Sequence, residues 1–262
     1  MQQIEKYEIF RALHGADAPF VIPNPWDAGT ARILTSMGFK ALATTSAGYA
    51  FAAGKRDSEG GLTRAEFLDN ARAIVEASDL PVSADLEDGF GRDPEACAMT
   101  IAKAVDGGLV GGSIEDTTGQ TNGPIHDFDL AVARVKAAAE AARGKPFMLT
   151  ARAEGFLFGG ADLSEIIARL QAFGAAGADV LYAPGLPDIG AIRTVCAEVD
   201  KPVNVLMGLG GRRYSVAELG DAGVSRVSVG GSFARAALGA MIRAARGKRS
   251  KEAASGFEMN ID

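Results

Sequence analysis

The chain repeats one pattern eight times: a short apolar run, a polar or glycine-rich loop, and an amphipathic stretch with helical spacing. Glycine lies shortly before several of the apolar runs, as in MGFKAL and AGADVL, which is typical of a helix end followed by a strand. Eight alternating strands and helices predict a closed parallel (β/α)8 TIM barrel, with an open doubly wound sheet as the alternative. The sequence IPNPWD after the first run is not a dinucleotide-binding fingerprint, which disfavours that alternative.

The predicted elements fill most of the 262 residues and no linker divides them, so we expect a single barrel domain over residues 1–262. Residues 1–18 are expected to form a helical extension ahead of the barrel, and residues 247–262 a tail that is loose or packs on a neighbouring subunit. The predicted strands are Phe20–Pro23, Ala41–Thr45, Val82–Leu86, Leu109–Ile114, Phe147–Thr150, Val180–Ala183, Val203–Met207 and Arg226–Val229. The predicted helices are Trp26–Met37, Arg64–Ala77, Pro94–Val105, Asp129–Ala142, Leu163–Ala175, Ile189–Val199, Val216–Ala222 and Phe233–Arg246.

Charge and composition exclude several classes of partner. The formal net charge is −6 and no basic stripe is present, which argues against nucleic acid. No uncharged apolar run is long enough to cross a bilayer, and the first residues lack the apolar core of a signal peptide. Cys97 and Cys196 lie far apart in helical stretches and are expected to be buried, reduced thiols. These features predict a cytoplasmic protein that acts on a small molecule.

Three carboxylates end two neighbouring strands. Asp85 and Glu87 close the third run, two residues apart and so on one side of the strand, and Glu115 follows the fourth run. In a barrel of this kind the chemistry gathers at the carboxyl ends of the strands. Carboxylates that converge there repel one another unless a cation or protons neutralise them. An all-oxygen site favours Mg²⁺ or Mn²⁺, with some of the acids bound through water.

The competing interpretation is that these acids are caps or first-turn residues of the following helices. Asp88 and Asp116 fit that role, and Asp93 before Pro94 is expected to be a cap. Asp85 follows the apolar residues 81–84, so a plain cap explains it less well than a metal ligand.

Candidate ligand-binding groups end two other strands. Arg152 closes the fifth run and is expected to bind a substrate carboxylate as a planar fork, to pair with Glu154 or another rim acid, or to do both. The backbone amides of Ser46, Ala47 and Gly48, after the second run, are expected to form an anion-binding nest at the other end of the ligand.

Further candidates for the substrate pocket are Thr45, which ends the second run, and Asn204, in the seventh. Trp26 is expected to pack the rim of the barrel or to line the pocket. The segment Gly230–Ser232 before the last helix fits either a phosphate cradle or close packing of that helix against its strand.

Imine and histidine chemistry find little support. A Schiff-base enzyme needs a lysine inside the barrel, yet Lys55 is the one lysine on a loop at the carboxyl ends of the strands. Three others precede their strands, at the opposite face: Lys40, Lys145 and Lys201. His14 is expected to lie outside the barrel proper and His126 in a long loop, so neither is assigned a role.

Several motifs together resemble the isocitrate lyase/phosphoenolpyruvate mutase superfamily. They are PNPWDAGTARIL, TTSAGYA, GKRDS, ADLEDGFG, GGSIEDTTG and TARAEGF, which run in order from about Val21 to Ser232. The resemblance implies a Mg²⁺ shell of Asp85, Glu87 and Glu115, with Asp57 as a further outer acid. It also implies that residues 46–48 bind the substrate carboxylate or phosphonate, that Arg152 faces the ligand, and that the eighth helix is swapped between subunits of a homodimer or homotetramer.

The sequence departs from the family pattern in one loop. Lyases of the family carry K-[KR]-C-G-H soon after IED, whereas this chain has Thr117–Pro124, without cysteine, so isocitrate or methylisocitrate cleavage by that mechanism is disfavoured. Thr121 and Asn122 weakly resemble the gating loop of phosphonate-acting members, but the lysine of that loop is missing. We expect this loop to supply catalytic polar groups.

Together these features predict a Mg²⁺-dependent lyase that cleaves or decarboxylates a small 2-oxo acid resembling oxaloacetate through a metal-stabilised enolate. Arg152, Glu154, Asp57 and Asn122 are the predicted catalytic residues. Phosphonopyruvate or phosphoenolpyruvate mutase or hydrolase activity is one alternative. A 2-oxo acid binding protein without catalysis is another.

Overall fold

The computed structural model describes residues 1–57, 61–158, 160–208 and 212–249. Eight strands alternate with helices, as predicted. The strands are β1 Phe20–Ile22, β2 Leu42–Ala43, β3 Val82–Asp85, β4 Gly111–Glu115, β5 Met148–Arg152, β6 Val180–Tyr182, β7 Val203–Leu206 and β8 Arg226–Ser228. Each strand overlaps its predicted run, with ends shifted by at most two residues.

The strands form one parallel sheet in the order β1-β8-β7-β6-β5-β4-β3-β2. The first strand pairs with the last, and Ala43 N donates to Pro23 O at 3.0 Å across the remaining seam between β2 and the end of β1. This pairing confirms the (β/α)8 barrel and contradicts the open sheet, whose first and last strands would lie apart.

Two helices were not predicted from the sequence. The helices are α1 Gln3–His14, α2 Ala28–Ser36, α3 Ser46–Ala52, α4 Arg64–Glu76, α5 Pro94–Asp106, α6 Phe128–Ala142, α7 Gly155–Phe158, α8 Leu163–Ala175, α9 Ile189–Glu198, α10 Val216–Asp221 and α11 Ser232–Arg249. The short helices α3 and α7 directly follow β2 and β5, where loops were expected. Thr45 Oγ1 accepts from Gly48 N at the start of α3, and this cap stabilises a segment too short to show helical periodicity.

Side-chain caps define where four of the helices begin. Asp27, Thr63, Asp162 and Ser215 each accept a hydrogen bond from the third residue of the helix that follows, which satisfies an otherwise free amide. The apolar faces of these helices then pack on the strands. Fully buried examples are Phe67, Ile74, Leu170 and Phe173. Each such side chain contributes roughly 1.5–3 kcal/mol by leaving water.

Helix α1 closes the base of the barrel, at the amino ends of the strands. Phe10 and His14 are buried there, their rings edge to face with centroids 4.7 Å apart, and both contact Phe20 of β1. Residues 3–14 of the expected extension are helical. His14 lies on this helix, ahead of the first strand as expected, and it is buried against the base of the barrel because the apolar face of α1 carries it inward.

The last helix makes few contacts with the rest of the described chain. It begins against α3, and its exposed apolar residues include Phe233, Met241 and Ile242. Exchange of this helix between subunits stays a prediction. The predicted tail begins inside α11, which continues to Arg249, and residues 250–262 lie outside the described part of the chain.

The two thiols differ in burial. Cys97 is buried as expected, whereas Cys196 is partly exposed, which corrects its prediction. Burial raises the pKa of both thiols to about 11. Neither thiol is therefore activated as a nucleophile. Within the described residues, none of the helices has the length and apolar character needed to span a bilayer.

Candidate active site

A cavity of about 1210 Å³ opens at the carboxyl ends of the strands. It brings together residues that lie far apart in the sequence and were predicted as site residues. Those that line it are Thr45, Ser46, Ala47, Asp57, Asp85, Glu87, Glu115, Asn122, Arg152, Glu154 and Asn204. The other two, Trp26 and Gly48, pack behind the wall: a Cβ on Gly48 would be 2.9 Å from Trp26 Cβ. The structure thus supports rim packing for Trp26.

Arg152 is the centre of the acid cluster. Its Nη1 lies 3.0 Å from Asp85 Oδ1 and 2.8 Å from Glu115 Oε1, and its Nε lies 2.6 Å from Glu154 Oε1. The guanidinium also stacks over the Tyr182 ring, 4.8 Å from its centroid. Strand register explains the convergence, because Glu115, Arg152 and Tyr182 are paired neighbours on β4, β5 and β6. Both sequence interpretations of Arg152 are compatible with this position.

Helix α3 supports the acid cluster from one side. Ser46 donates to Asp85 Oδ2 through its amide, at 3.2 Å, and through its hydroxyl, at 2.9 Å. The Asp85 amide in turn donates to Thr44 Oγ1 at 2.9 Å. Two of the three amides predicted to form an anion nest therefore already have partners: Ser46 bonds Asp85, and Gly48 bonds the Thr45 cap.

Glu87 lies in a strained turn after β3. Its φ is 49°, in the left-handed region that residues other than glycine rarely adopt. Arg134 holds this turn from below by donating to the backbone carbonyls of Asp88, Gly91 and Arg92. The turn thus projects the Glu87 carboxyl group into the cavity at a conformational cost of order 1–3 kcal/mol.

Negative charge exceeds positive charge in this part of the cavity. Burial, followed by repulsion from Asp85, raises the pKa of Glu87 to about 8. Burial also raises the pKa of Glu115 well above its usual value, although Arg152 opposes the shift. The pKa of Asp57 is raised by burial and by Asp85. Added positive charge would therefore stabilise the ionised acids.

The donor set fits a divalent cation by charge and by atom type. Asp85, Glu87 and Glu115 offer carboxylate oxygens, which Mg²⁺ and Mn²⁺ prefer. Within the described chain, no group of three histidine, cysteine, aspartate or glutamate side chains converges closely enough to bind an ion directly. Arg152 lies between two of the three predicted ligands.

The acids assigned to helix caps behave differently from expectation. Asp116 accepts from Glu154 N at 2.8 Å and pairs with Arg169 at 3.3 Å. It therefore orients the backbone at Glu154, a predicted catalytic residue, and caps no helix. Asp88 accepts from Phe90 N within its own turn. Asp93 precedes α5 as predicted but makes no side-chain cap bond.

The segment Gly230–Ser232 is explained by close packing. Asn24 Oδ1 accepts from Val229 N at 3.0 Å and from Gly230 N at 2.9 Å. A Cβ on Gly231 would lie 3.4 Å from Ala47 Cβ, at ordinary van der Waals distance, so this segment packs against α3. The amide of Gly230 is thus already bonded, which disfavours a phosphate cradle.

Sequence reasoning missed two side chains inside the barrel, Tyr182 and Arg226. Both are buried and both line the cavity. An arginine that opens an otherwise apolar strand run is an available signal, since buried arginines are rare unless paired. Lys55, on the loop above the barrel, pairs with Glu66 at 2.6 Å.

Comparison with known proteins identifies the family. Residues 10–248 match the family model described as phosphoenolpyruvate phosphomutase. An uncharacterised protein of Mycobacterium tuberculosis is 32% identical over 90% of this chain and 87% of its own length. A solved Burkholderia cenocepacia structure, named only as a lyase or mutase, is 54% identical, with a TM-score of 0.92 over 95% of this chain and 89% of that chain.

A crystal structure of 2,3-dimethylmalate lyase is 28% identical and superposes with a TM-score of 0.88, covering 100% of this chain and 92% of that chain. The superfamily consists of lyases and mutases, and its members are typically dependent on divalent metals. These matches confirm the resemblance drawn from the motifs. The chain belongs to the phosphoenolpyruvate phosphomutase family, within the isocitrate lyase/phosphoenolpyruvate mutase superfamily of enzymes.

Proposed function

We propose that this protein is a divalent-cation-dependent lyase that breaks a carbon–carbon bond in a small 2-oxo acid. One observation carries the proposal: the acids Asp85, Glu115 and Glu154 surround the single guanidinium of Arg152 in the wall of an open cavity. Such a charge arrangement is suited to hold a cation beside an anionic substrate. The similarity to 2,3-dimethylmalate lyase supports a lyase reaction.

Asp85, Glu87 and Glu115 would hold the cation, in part through water, with Asp57 farther out. A bound Mg²⁺ or Mn²⁺ supplies positive charge at the carboxylate and keto oxygens of a 2-oxo acid and so stabilises negative charge that develops there. Ser46 fixes the orientation of Asp85 through two hydrogen bonds, which keeps one ligand in place before the cation binds.

Arg152 and Glu154 would act on the substrate. In an oxaloacetate-like acid the C3–C4 bond breaks, its electron pair moves toward the 2-oxo group, CO2 leaves, and a proton then returns to C3. Arg152 is placed to bind the substrate carboxylate. Burial raises the pKa of Glu154 although Arg152 opposes the shift, and this carboxyl group, bonded to Arg152 in the cavity wall, would return the proton.

A second candidate is phosphonate mutase or hydrolase activity. It is favoured by the match to the phosphoenolpyruvate phosphomutase family model and by the loop after β4. Polar residues of this loop line the cavity: Thr117, Thr118, Gln120 and Asn122. These groups are suited to hydrogen-bond a phosphonate.

The decisive experiment measures pyruvate release with and without Mg²⁺ from oxaloacetate, a 4-hydroxy-2-oxo acid and phosphonopyruvate. Binding of oxalate is measured by calorimetry under the same two conditions. We expect release from one of the two carbon acids and oxalate binding that requires Mg²⁺. Consumption of phosphonopyruvate alone, to pyruvate and phosphate or to phosphoenolpyruvate, would support the second candidate, and tight binding without turnover of any of the three acids would support a binding protein.

Asp85→Asn tests the cation site, with Asp69→Asn on the exposed face of α4 as the matched control. We expect the first variant to lose Mg²⁺-dependent oxalate binding and the second to retain it. Unchanged oxalate affinity in Asp85→Asn would contradict the proposed cation site.

A further inference from the structure

Arg226 lies deep in the barrel, at the first residue of β8. The side chain is only 5% exposed, yet it lines the cavity. Strand register places it in one continuous row, in which Arg152 pairs with Tyr182, Tyr182 with Asn204, and Asn204 with Arg226. Paired neighbours in a parallel sheet point to the same face, so both arginines belong to the lining of one cavity. They occupy opposite ends of this row.

The partners of Arg226 are all neutral. Its Nε donates to Asn204 Oδ1 at 2.8 Å and its Nη2 to Thr150 Oγ1 at 3.1 Å. Its Nη1 lies 3.3 Å from His14 Nε2, which must be the acceptor because a guanidinium only donates. Burial lowers the pKa of His14 to about 3, so this imidazole is uncharged at neutral pH. These contacts use three of the five N–H groups of the guanidinium.

Three other arginines are buried or largely buried, and each differs from Arg226. Within the described residues Arg134 likewise forms no ion pair, but it donates to three backbone carbonyl groups and lies outside the cavity lining. Arg152 has three carboxylate partners, and Arg169 pairs with Asp116 and Glu165. In the described part of the chain, no carboxylate oxygen lies within 4.0 Å of Arg226. A buried cation without a counter-ion is costly, because burial removes water and no opposite charge replaces it.

The barrel interior leaves room for a ligand group near Arg226. The inward residues of such barrels are usually bulky branched side chains that fill the core. Here the cavity extends between small polar residues, Ser83, Ser113 and Ser228, on β3, β4 and β8. Their hydroxyl groups and Asn204 form a polar lining from the acid cluster towards Arg226.

We propose that Arg226 is a second anion-binding residue, which takes the distal carboxylate of a dicarboxylic 2-oxo acid while the 2-oxo acid end lies at Arg152. The inference rests on the proposed function and specifies its substrate class. The distal carboxylate supplies the negative charge that the surroundings of Arg226 lack, and its oxygens accept the remaining N–H groups. A monocarboxylic 2-oxo acid gains nothing from this residue.

The test uses two pairs of acids that differ only in a distal carboxylate or methyl group: oxaloacetate with 2-oxobutyrate, and 2-oxoglutarate with 2-oxopentanoate. Dissociation constants with Mg²⁺ are measured by calorimetry. Where turnover interferes, each acid is instead tested by competition with bound oxalate. The wild-type protein should prefer the dicarboxylate in one pair by roughly ten- to hundredfold, as expected for a charge-assisted hydrogen bond. Arg226→Gln should abolish that preference and leave the affinity for the monocarboxylate within about twofold.

Two further variants keep the test decisive if Arg226→Gln does not fold. Arg226→Lys retains the charge and should keep a reduced preference, and Thr150→Val removes one neutral partner and should keep it fully. Absence of any dicarboxylate preference in the wild-type protein, or an equal loss for both members of a pair in the variant, overturns the inference. Failure of every 2-oxo acid to bind would instead remove the proposed function itself.

Discussion

The mouth and the base of the barrel each contain a buried arginine, but the two regions balance charge in opposite ways. At the mouth, Arg152 is surrounded by Asp85, Glu115 and Glu154, so acid is in excess. At the base, Arg226 is surrounded by neutral acceptors, so the cation is in excess. One row of paired residues across four strands connects them. The difference indicates that the sign of the excess charge changes along the cavity. Such a cavity suits a ligand that binds a cation at one end and carries a negative charge at the other.

The largest expected effect comes from removing the charge of Arg152 at the mouth of the barrel. Arg152→Met leaves the buried carboxyl group of Glu154 and the partly exposed ones of Asp85 and Glu115 without their shared counter-ion. We expect the free energy of unfolding at pH 7, measured by urea denaturation in the presence of a chelator, to fall by about 3–5 kcal/mol. Arg72→Met is the matched control, because it removes an exposed pair with Asp69 worth at most about 1 kcal/mol. Similar losses in both variants would contradict a special role for the mouth.

A second prediction uses pH to test the base. The pKa of His14 is lowered from 6.5 to about 3, by burial and then by Arg226, so the unfolded chain binds more protons between these values. Stability from His14 is therefore present above pH 6.5 and is lost as pH falls towards 3, by roughly 1.4 kcal/mol per pH unit at most. His14→Gln should flatten the acid side of the stability profile. An unchanged slope would contradict burial of a neutral imidazole.

At the mouth, Glu87 should change the stability with pH in the opposite direction to His14 and by a smaller amount. Because the pKa of Glu87 is raised from 4.5 to about 8, the folded protein binds more protons between these values. Its stabilising contribution is complete below pH 4.5 and is lost as pH rises through about 8. Solvent reaches this side chain, so we expect a slope well below that of one full proton. Glu87→Gln should remove the alkaline decline when stability is measured in a chelator, and a persisting decline would argue against it.

The smallest expected effect comes from removing one hydrogen-bond acceptor of Arg226 at the base. Thr150→Val removes one acceptor of Arg226 and leaves its charge in place. We expect a loss of about 1 kcal/mol in the free energy of unfolding, since a single neutral partner is removed. A loss as large as that of Arg152→Met would mean that the base depends on each acceptor as strongly as the mouth depends on its charges.

The sequence predicted the mouth far better than the base. Asp85, Glu115 and Arg152 each end a recognisable apolar run, and the barrel rule alone brings such residues together. Helices α3 and α7 were missed because they are short and follow β2 and β5 directly, where a loop is expected. The partnership of Asp116 with Arg169 and the burial of His14 depend on tertiary contacts that no local pattern encodes.

The contact between His14 and Arg226 joins positions 212 residues apart. Strand β1 likewise pairs in register with β8. During synthesis the first helix and strand therefore leave the ribosome long before the surface that will cover them exists. Their apolar residues stay exposed, or are covered by chaperones, until nearly the entire barrel has been synthesised. Non-local pairing of this kind slows folding, so the ring should close late. Mutations at this seam are accordingly expected to lower the yield of folded protein more than its final stability.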